Sequence, residues 1–425
     1  MRNIVILCDG TGNEISENIS NVLKLYRCLR KTEKTQPRQL VFYDPGVGTL
    51  ERPDPWHKLK QDFNAILGLA TGYGLDDNVL AAYAFLVANY QDGDQIYLFG
   101  FSRGAYTVRV LAGLIHKVGL ISPQQVNLAG SGLIAYKQFS SDVVPKLGPD
   151  WRALTDAGDE DGPIAATPFD NAAQFARITS TRWPTIKFVG VWDTVASVIV
   201  PRADRLYWPS LEELAFTLQN PSVQIFRQAI SIDERRCMFR LKKWDEPQTF
   251  THNRFNDAHA EPQDIKQVWF AGVHADIGGG YPEIESGLSK YPLIWMINEA
   301  VTCGLAVNPR TINQLAWGVQ RKGSPFSYVA PDVQGELHDS LRGAWWILEF
   351  LPKSAKYREW PERQTYLGFY VPDAEPRLIP EDAFIHESVV KRMDALAAYR
   401  PVNLPAQFQT VPMPVPPEHG GHEGV

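Results

Sequence analysis

The chain of 425 residues is 44% hydrophobic and 21% charged, with a formal net charge of −6. That balance is a soluble globular one with enough apolar material for a large core, and its acidity gives no broad attraction to phosphates, which excludes nucleic acid as an expected partner. Four scattered cysteines without a C-x-x-C pair exclude a disulfide framework and a thiolate metal site.

The opening MRNIVILCDG holds an apolar run too short for a secretion signal, and no later run approaches the ~18 residues of a membrane span. The expected compartment is the cytoplasm, with export only by a specialised system. IVILC (4–8) is apolar on both alternating faces, the pattern of a strand buried in a parallel sheet. The loop CDGTGN (8–13) follows, and Ser20-Asn21 can cap a helix with Val22, Leu23, Leu25, Tyr26 and Leu29 on one stripe. LVFYD (40–44), QIYLFGF (95–101), IKFVGVWD (186–193) and QVWFAGVH (267–274) repeat the strand pattern. Helices are expected over 76–90, where two aspartates complement the dipole of the first turn, and over 103–117. Glycines and prolines loosen the pattern from about 120 to 185, and 201–265 mixes signals, including a helical LEELAFTLQ (211–219).

Alternation of strand and helix predicts an α/β fold with a mostly parallel central sheet flanked by helices. The expected organisation is one domain over 1–400, with cap or insertion segments at about 120–185 and 201–265. Residues 405–425, rich in Pro and Gly, are expected to form a disordered tail.

Gly100-Phe101-Ser102-Arg103-Gly104 fits G-x-S-x-G, the pattern by which α/β-hydrolases hold a nucleophilic serine on a sharp turn between strand and helix. The strand before it and the helix after it are both predicted, and Gly100 and Gly104 supply the small residues that such a turn needs. A helix starting there aims its first amides at a reacting carbonyl, making Arg103 N–H a candidate oxyanion donor. Gly10 or Thr11, in the loop at the same sheet edge, is the candidate second donor. A serine needs a histidine to accept its proton and a carboxylate to orient that histidine. Asp193 closes one downstream strand and His274 the next, in the chain order Ser, Asp, His expected of this fold, with Asp233 and Asp276 as reserve acids. His252, His259, His338 and His386 lie in less regular settings, and His419 and His422 fall in the tail.

Two other chemistries compete with an esterase. The Gly-rich CDGTGN and YDPGVGTL (43–50) lack the lysine signature of a phosphate-binding loop. Asp9, Asp44 and Asp276 could gather around a hard cation, though no compact acidic motif groups them. No cofactor and no metal are expected. GAWWILEFLP (343–352) concentrates two Trp with Leu, Ile and Phe, a composition that suits buried core or an acyl-chain wall or lid, and Trp56, Trp208 and Trp360 add further aromatic surface.

Several blocks together resemble a known family. CDGTGN, YDPGVGT, GFSRGAYTVR, VGVWDTV, IDERR (232–236), WFAGVHADIGGGYPE, LHDSL (337–341) and IHESV (385–389) look like the signature blocks of the DUF2235 α/β-hydrolases, which include phospholipase effectors of type VI secretion. The resemblance implies an α/β-hydrolase fold and a serine esterase or phospholipase mechanism, with Ser102, Asp193 and His274 on the positions of nucleophile, acid and base. The expected partner is a small-molecule ester or a lipid, with peripheral contact to a membrane and the oligomeric state open. Two alternatives stand beside a housekeeping hydrolase: a non-catalytic binding or scaffold protein on the same fold, and a type VI effector.

Overall fold

Every residue of NIVILC (3–8) is buried in the computed structural model of the chain, and the run forms strand β1 (Asn3–Cys8). The structure describes residues 1–10, 18–46, 74–147, 171–179, 181–195, 199–201, 209–211, 214–256, 258–343 and 345–417. The other predicted strands appear as β2 (Gln39–Asp44), β3 (Gln95–Phe101) and β4 (Ile186–Trp192). Short antiparallel pairs follow, β5 (Ile199–Pro201) with β6 (Pro209–Leu211) and β8 (Thr249–Phe250) with β9 (Glu261–Pro262). The remaining long strands are β7 (Val223–Ser231) and β10 (Asp264–Phe270). After a small pair, β11 (Lys353–Ser354) with β12 (Phe369–Tyr370), come β13 (Ala383–His386) and β14 (Phe408–Val411). One eight-stranded sheet runs in the order β14-β13-β10-β7-β4-β3-β1-β2, an α/β architecture with mostly parallel pairing.

By internal packing the chain divides into two units, the first comprising 1–12, 31–227 and 240–266, the second 13–30, 228–239 and 267–425. In the first unit, parallel pairing aligns Cys8 with Asp44 and with Gly100, and Phe101 with Trp192, so the carboxyl ends of four strands share one edge. Helices α1 (Asn21–Cys28, in the second unit), α2 (Leu75–Asn89) and α3 (Arg103–Val118) stand close to their predicted positions. Ser20 caps α1 as its sequence suggested, accepting from Leu23 N–H at 3.1 Å. Residues 120–185 supply a short 3₁₀ turn, then α4 (Ala129–Leu147) and α5 (Asn171–Ile178). These pack on α3, which is why α3 is buried on every side although its sequence shows only one fully apolar face. Val108, Leu111, Leu114 and Ile115 are all at most 1% exposed, each worth about 1.5–3 kcal/mol of burial.

In the second unit β10 pairs in parallel with β13, and β13 with β14. Residues 274–278 form a short α6 (His274–Gly278), followed by α7 (Lys290–Thr302), α8 (Pro309–Leu315), α9 (Trp345–Phe350) and α10 (Glu387–Ala395). Phe270 packs against Trp295 and His386 in its interior.

Three expectations differ from the structure. LEELAFTLQ is not a helix: Leu211 ends β6, residues 214–219 turn irregularly, and Phe216 sits at φ +61, while Leu214, Ala215 and Phe216 are all buried together. Strand β7 was hidden in the sequence by Arg227 and Gln228. Arg227 is accommodated by a two-pronged ion pair with Asp264 at 2.8 Å on each arm. The start of the predicted tail is ordered as β14, because FQTV adds to the β13 edge and Met413 N–H donates to Glu387 Oε2 at 2.8 Å. Residues 418–425 lie outside the described residues. Among the described residues no helix is long and apolar enough to cross a membrane.

Candidate active site

At the end of β3 the chain must reverse into α3 within one residue, and that residue is Ser102. Its φ of 56° and ψ of −120° lie where an L-residue is strained, at a cost of order 1–3 kcal/mol. Neighbouring backbone holds it there: Ser102 N–H donates to Trp192 O at 3.1 Å, and Ser102 O accepts from Tyr106 N–H at 3.3 Å, closing the first turn of α3. The two glycines of the motif have a steric reason. A Cβ on Gly104 would run into Cys8 O and come within 2.5 Å of Asp9 O; one on Gly100 would collide with Gly104 O and lie 2.6 Å from Ala105 N. The spacing G-x-S-x-G is therefore the condition for strand β1, the turn and the helix to approach this closely.

Asp193 follows Trp192 on the adjacent strand, fully buried and at φ +39. Strand pairing thus sets Ser102 and Asp193 at neighbouring strand ends, each in a left-handed backbone conformation. On the other side of β3, hydrogen bonds fix Asp9: Gly10 N–H donates to Oδ1 at 2.7 Å and Tyr43 OH to Oδ2 at 2.9 Å. Asp44 Oδ1 accepts from Gly46 N–H at 2.9 Å, and burial pushes the Asp44 carboxyl up in pKa. Gly10 N–H, a predicted oxyanion donor, is thus engaged by a carboxylate. Thr11, and residues 47–50 of the second Gly-rich stretch, lie outside the described residues. Arg103 begins α3, and burial lowers its guanidinium pKa to about 10.

His274 belongs to the second unit, where it opens α6 after a turn at Gly272 with φ +127. The strand predicted to run to residue 274 therefore ends at Phe270. The loop is held by three carboxylates. Glu234 is buried and accepts from Arg235 N–H, Arg236 N–H, the Arg236 side chain and Ser340 OH, and its Oε2 takes His274 N–H at 3.2 Å. Burial opposes its charge, but the charge and hydrogen bonds of Arg236, then Arg377 and His274, prevail and hold its pKa at about 2. Asp233 Oδ2 accepts from Gly272 N–H at 2.7 Å and Tyr399 OH at 2.9 Å, while burial raises its pKa to about 6. Asp276 Oδ2 accepts from Val273 N–H at 3.0 Å, and Oδ1 lies 2.7 Å from His338 Nδ1. The His274 ring meets Phe239 edge-on at 4.9 Å between centroids.

Both reserve acids are thus occupied in shaping the turn before His274. Glu234 and His338 are the residues that sequence reasoning passed over. Glu234 stands in IDERR and His338 in LHDSL, and the signal available in the first is a carboxylate followed by two arginines, the second of which, Arg236, compensates its buried charge. His338 spans two carboxylates, with Nε2 3.2 Å from Glu285, and stacks on Tyr281 at 3.5 Å. Burial works against its charge, but the hydrogen bond and charge of Asp276, then Glu285 and Glu336, raise its pKa. Among the described residues, Glu285, Glu336 and His338 bring ligand atoms within 4.8 Å of one another. Both ring nitrogens face carboxylate oxygens, so the protonated ring serves as an ion-pair partner of Asp276 and Glu285. Of the cation candidates, Asp9 and Asp276 spend both carboxylate oxygens on hydrogen bonds, whereas Asp44 spends Oδ1 and has a buried Oδ2 without a hydrogen-bond partner among the described residues.

Residues 2–299 match the family described as "T6SS, Phospholipase effector Tle1-like, catalytic domain", the same family that the motif blocks resemble. Among curated proteins, the uncharacterized protein YEL023C of Saccharomyces cerevisiae is 22% identical, over 95% of this chain and 80% of its own length. Two solved structures are similar. An uncharacterized protein from Pseudomonas aeruginosa gives a TM-score of 0.36 at 18% identity, over 73% of this chain and 47% of that one. The Tle1 effector bound to the VgrG spike of a type VI secretion system gives 0.33 at 16%, over 68% and 53%. The chain spans about half the length of these solved structures.

Proposed function

We propose, from the premise that this chain belongs to the family of type VI secretion Tle1-like phospholipase effector catalytic domains, that it hydrolyses a carboxylic ester of a lipid through a serine acyl-enzyme. The family's class, a hydrolase acting on lipids, sets the reaction type; the residues are our reading. The observation that carries it is Ser102. A residue held at φ +56 between a strand and a 16-residue helix, with both flanking glycines sterically required, is the geometry in which a serine Oγ is presented to a substrate.

In this reading His274 accepts the Ser102 proton as Oγ attacks the ester carbonyl, and Asp193 orients and stabilises the imidazolium. The tetrahedral oxyanion is stabilised by Arg103 N–H at the start of α3, where the helix dipole favours negative charge. Gly10 would contribute by exchanging its bond to Asp9 Oδ1 for the oxyanion, with Thr11 as the other candidate donor. The histidine returns its proton to the leaving alcohol, and water, deprotonated in the same way, cleaves the acyl-enzyme. No cofactor takes part in these steps. Asp193 is preferred over Asp233 and Asp276 because it directly follows Trp192, which pairs with Phe101 beside Ser102 in the parallel β3–β4 ladder.

The test is hydrolysis of p-nitrophenyl esters of increasing acyl length and of a phospholipid, by wild type and by Ser102→Ala. Serine-dependent turnover that falls by about 10³-fold or more in the variant is expected, together with fluorophosphonate labelling of Ser102. A folded protein with neither turnover nor labelling would favour a non-catalytic scaffold. Loss of activity in Asp233→Asn or Asp276→Asn but not in Asp193→Asn would reassign the acid. Delivery as an effector, which the family name brings with it, predicts toxicity on targeting to the periplasm, absent in Ser102→Ala.

A further inference from the structure

The block LHDSL (337–341) plays no part in the acyl-transfer steps, yet two of its side chains grip the loop of His274. Ser340 OH donates to both oxygens of Glu234 at 3.2 Å, and Glu234 Oε2 accepts His274 N–H at 3.2 Å. Two residues earlier, His338 Nδ1 lies 2.7 Å from Asp276 Oδ1, while Asp276 Oδ2 accepts Val273 N–H, from the residue before His274. The segment therefore holds the loop on both sides of the proposed base.

His338 also reaches the chain that follows α6. Its Nε2 lies 3.2 Å from Glu285 Oε2, and its ring stacks on Tyr281 at 3.5 Å with 10° between the planes. Glu336 brings a further carboxylate oxygen within 4.8 Å, and Asp339 and Arg342, 3.7 Å apart, follow on the same segment. Glu234, Arg236 and Arg342 act in turn on Tyr281.

Two carboxylates at hydrogen-bond distance call for two N–H donors, which only the imidazolium has. A neutral ring satisfies one of them and turns a lone pair toward the other, so loss of the proton releases Asp276 or Glu285. Burial opposes the charge, but the hydrogen bond and charge of Asp276, then Glu285 and Glu336, hold the pKa of the ring above the ordinary 6.5. The clamp is thus complete below pH 6.5 and is lost as pH rises through the folded pKa. We propose that protonated His338 is a positioning residue for His274, and that turnover declines as the ring loses its proton and the loop relaxes. The proposal rests on the reading of His274 as the base that serves Ser102.

The test is kcat and KM for p-nitrophenyl butyrate against pH, for wild type and His338→Asn. Asparagine keeps one N–H for Asp276 and carries no charge. The ratio of wild-type to variant kcat is expected at about 10 where the ring is protonated, falling toward about 1 as pH rises, with KM unchanged. A ratio cancels every titration common to the two proteins, and a merely structural role would leave it constant with pH. A second measurement needs no variant to fold. In wild type carrying isotope-labelled histidine, the ring resonance of His274 should show an inflection at the pH where His338 titrates. A ratio that does not vary with pH, or a His274 resonance indifferent to the titration of His338, would overturn the proposal. So would loss of the wild-type advantage on adding EDTA, which would assign Glu285, Glu336 and His338 to a cation. Turnover that survives Ser102→Ala would count against the catalytic reading alone, because the coupling of the two rings is read without turnover.

Discussion

The turn at Ser102 and the loop at His274 solve the same problem, holding one side chain in a fixed place, by opposite physical means. Ser102 is held by steric fit: glycines let backbone segments approach until only one conformation remains, and charge plays little part. His274 is held by electrostatics, in a loop pinned by the carboxylates of Asp233, Glu234 and Asp276. A steric device tolerates changes of pH but no added atom. An electrostatic one tolerates changes of shape but no loss of charge.

The comparison breaks most sharply at Gly104. Gly104→Ala places a methyl group against the carbonyls of Cys8 and Asp9, both backbone atoms that cannot rotate away. We expect destabilisation of about 3 kcal/mol or more, read by urea unfolding and independent of pH; a variant as stable as wild type would remove the steric account.

At the loop, Glu234→Gln keeps size and removes charge, leaving Arg236 buried without its anion. The expected loss is again about 3 kcal/mol at neutral pH, and its pH dependence is the distinguishing mark. Glu234 has a folded pKa depressed from 4.5 to about 2, so its contribution is fully present above about 4.5 and is lost as pH falls toward 2. Wild type and variant should therefore converge in that window. Asp233 has the opposite sign: with its pKa raised to about 6, ionisation weakens the fold as pH rises from about 4 to 6. Stability curves of the two proteins that stay parallel from pH 5 to 2 would show that charge is not what holds this loop.

The smallest effect sharpens the steric side. Ser102→Gly relieves the backbone strain at φ +56 and should raise stability by about 1 kcal/mol in thermal unfolding while turnover disappears. Ser102→Ala keeps a Cβ and should gain nothing. Equal stability of the two variants would mean that the turn stores no strain.

Legibility in the sequence follows the same division. β1 to β4, α1 to α3 and the turn at Ser102 could be read because each depends on neighbours in sequence: strand runs apolar on both faces, caps such as Ser20, and Gly100 and Gly104 at fixed offsets. β7 was missed because Arg227 and Gln228 interrupt its apolar run, and their accommodation depends on Asp264, 37 residues away. The carboxylates around His274 were missed for a related reason. Asp276 and His338 are 62 residues apart, and Glu234 and His274 are 40.

By itself the sequence determined the alternating α/β plan, the family and the turn at Ser102, because hydrophobic period and glycine spacing act over a few residues. Only the tertiary structure decided that Glu234 and His338 belong to the histidine loop, that Gly10 N–H is engaged by Asp9, and that Ile347 and Phe350 of GAWWILEFLP face solvent. Burial, charge compensation and exposure are properties of what packs against a residue, and those neighbours are chosen by the fold.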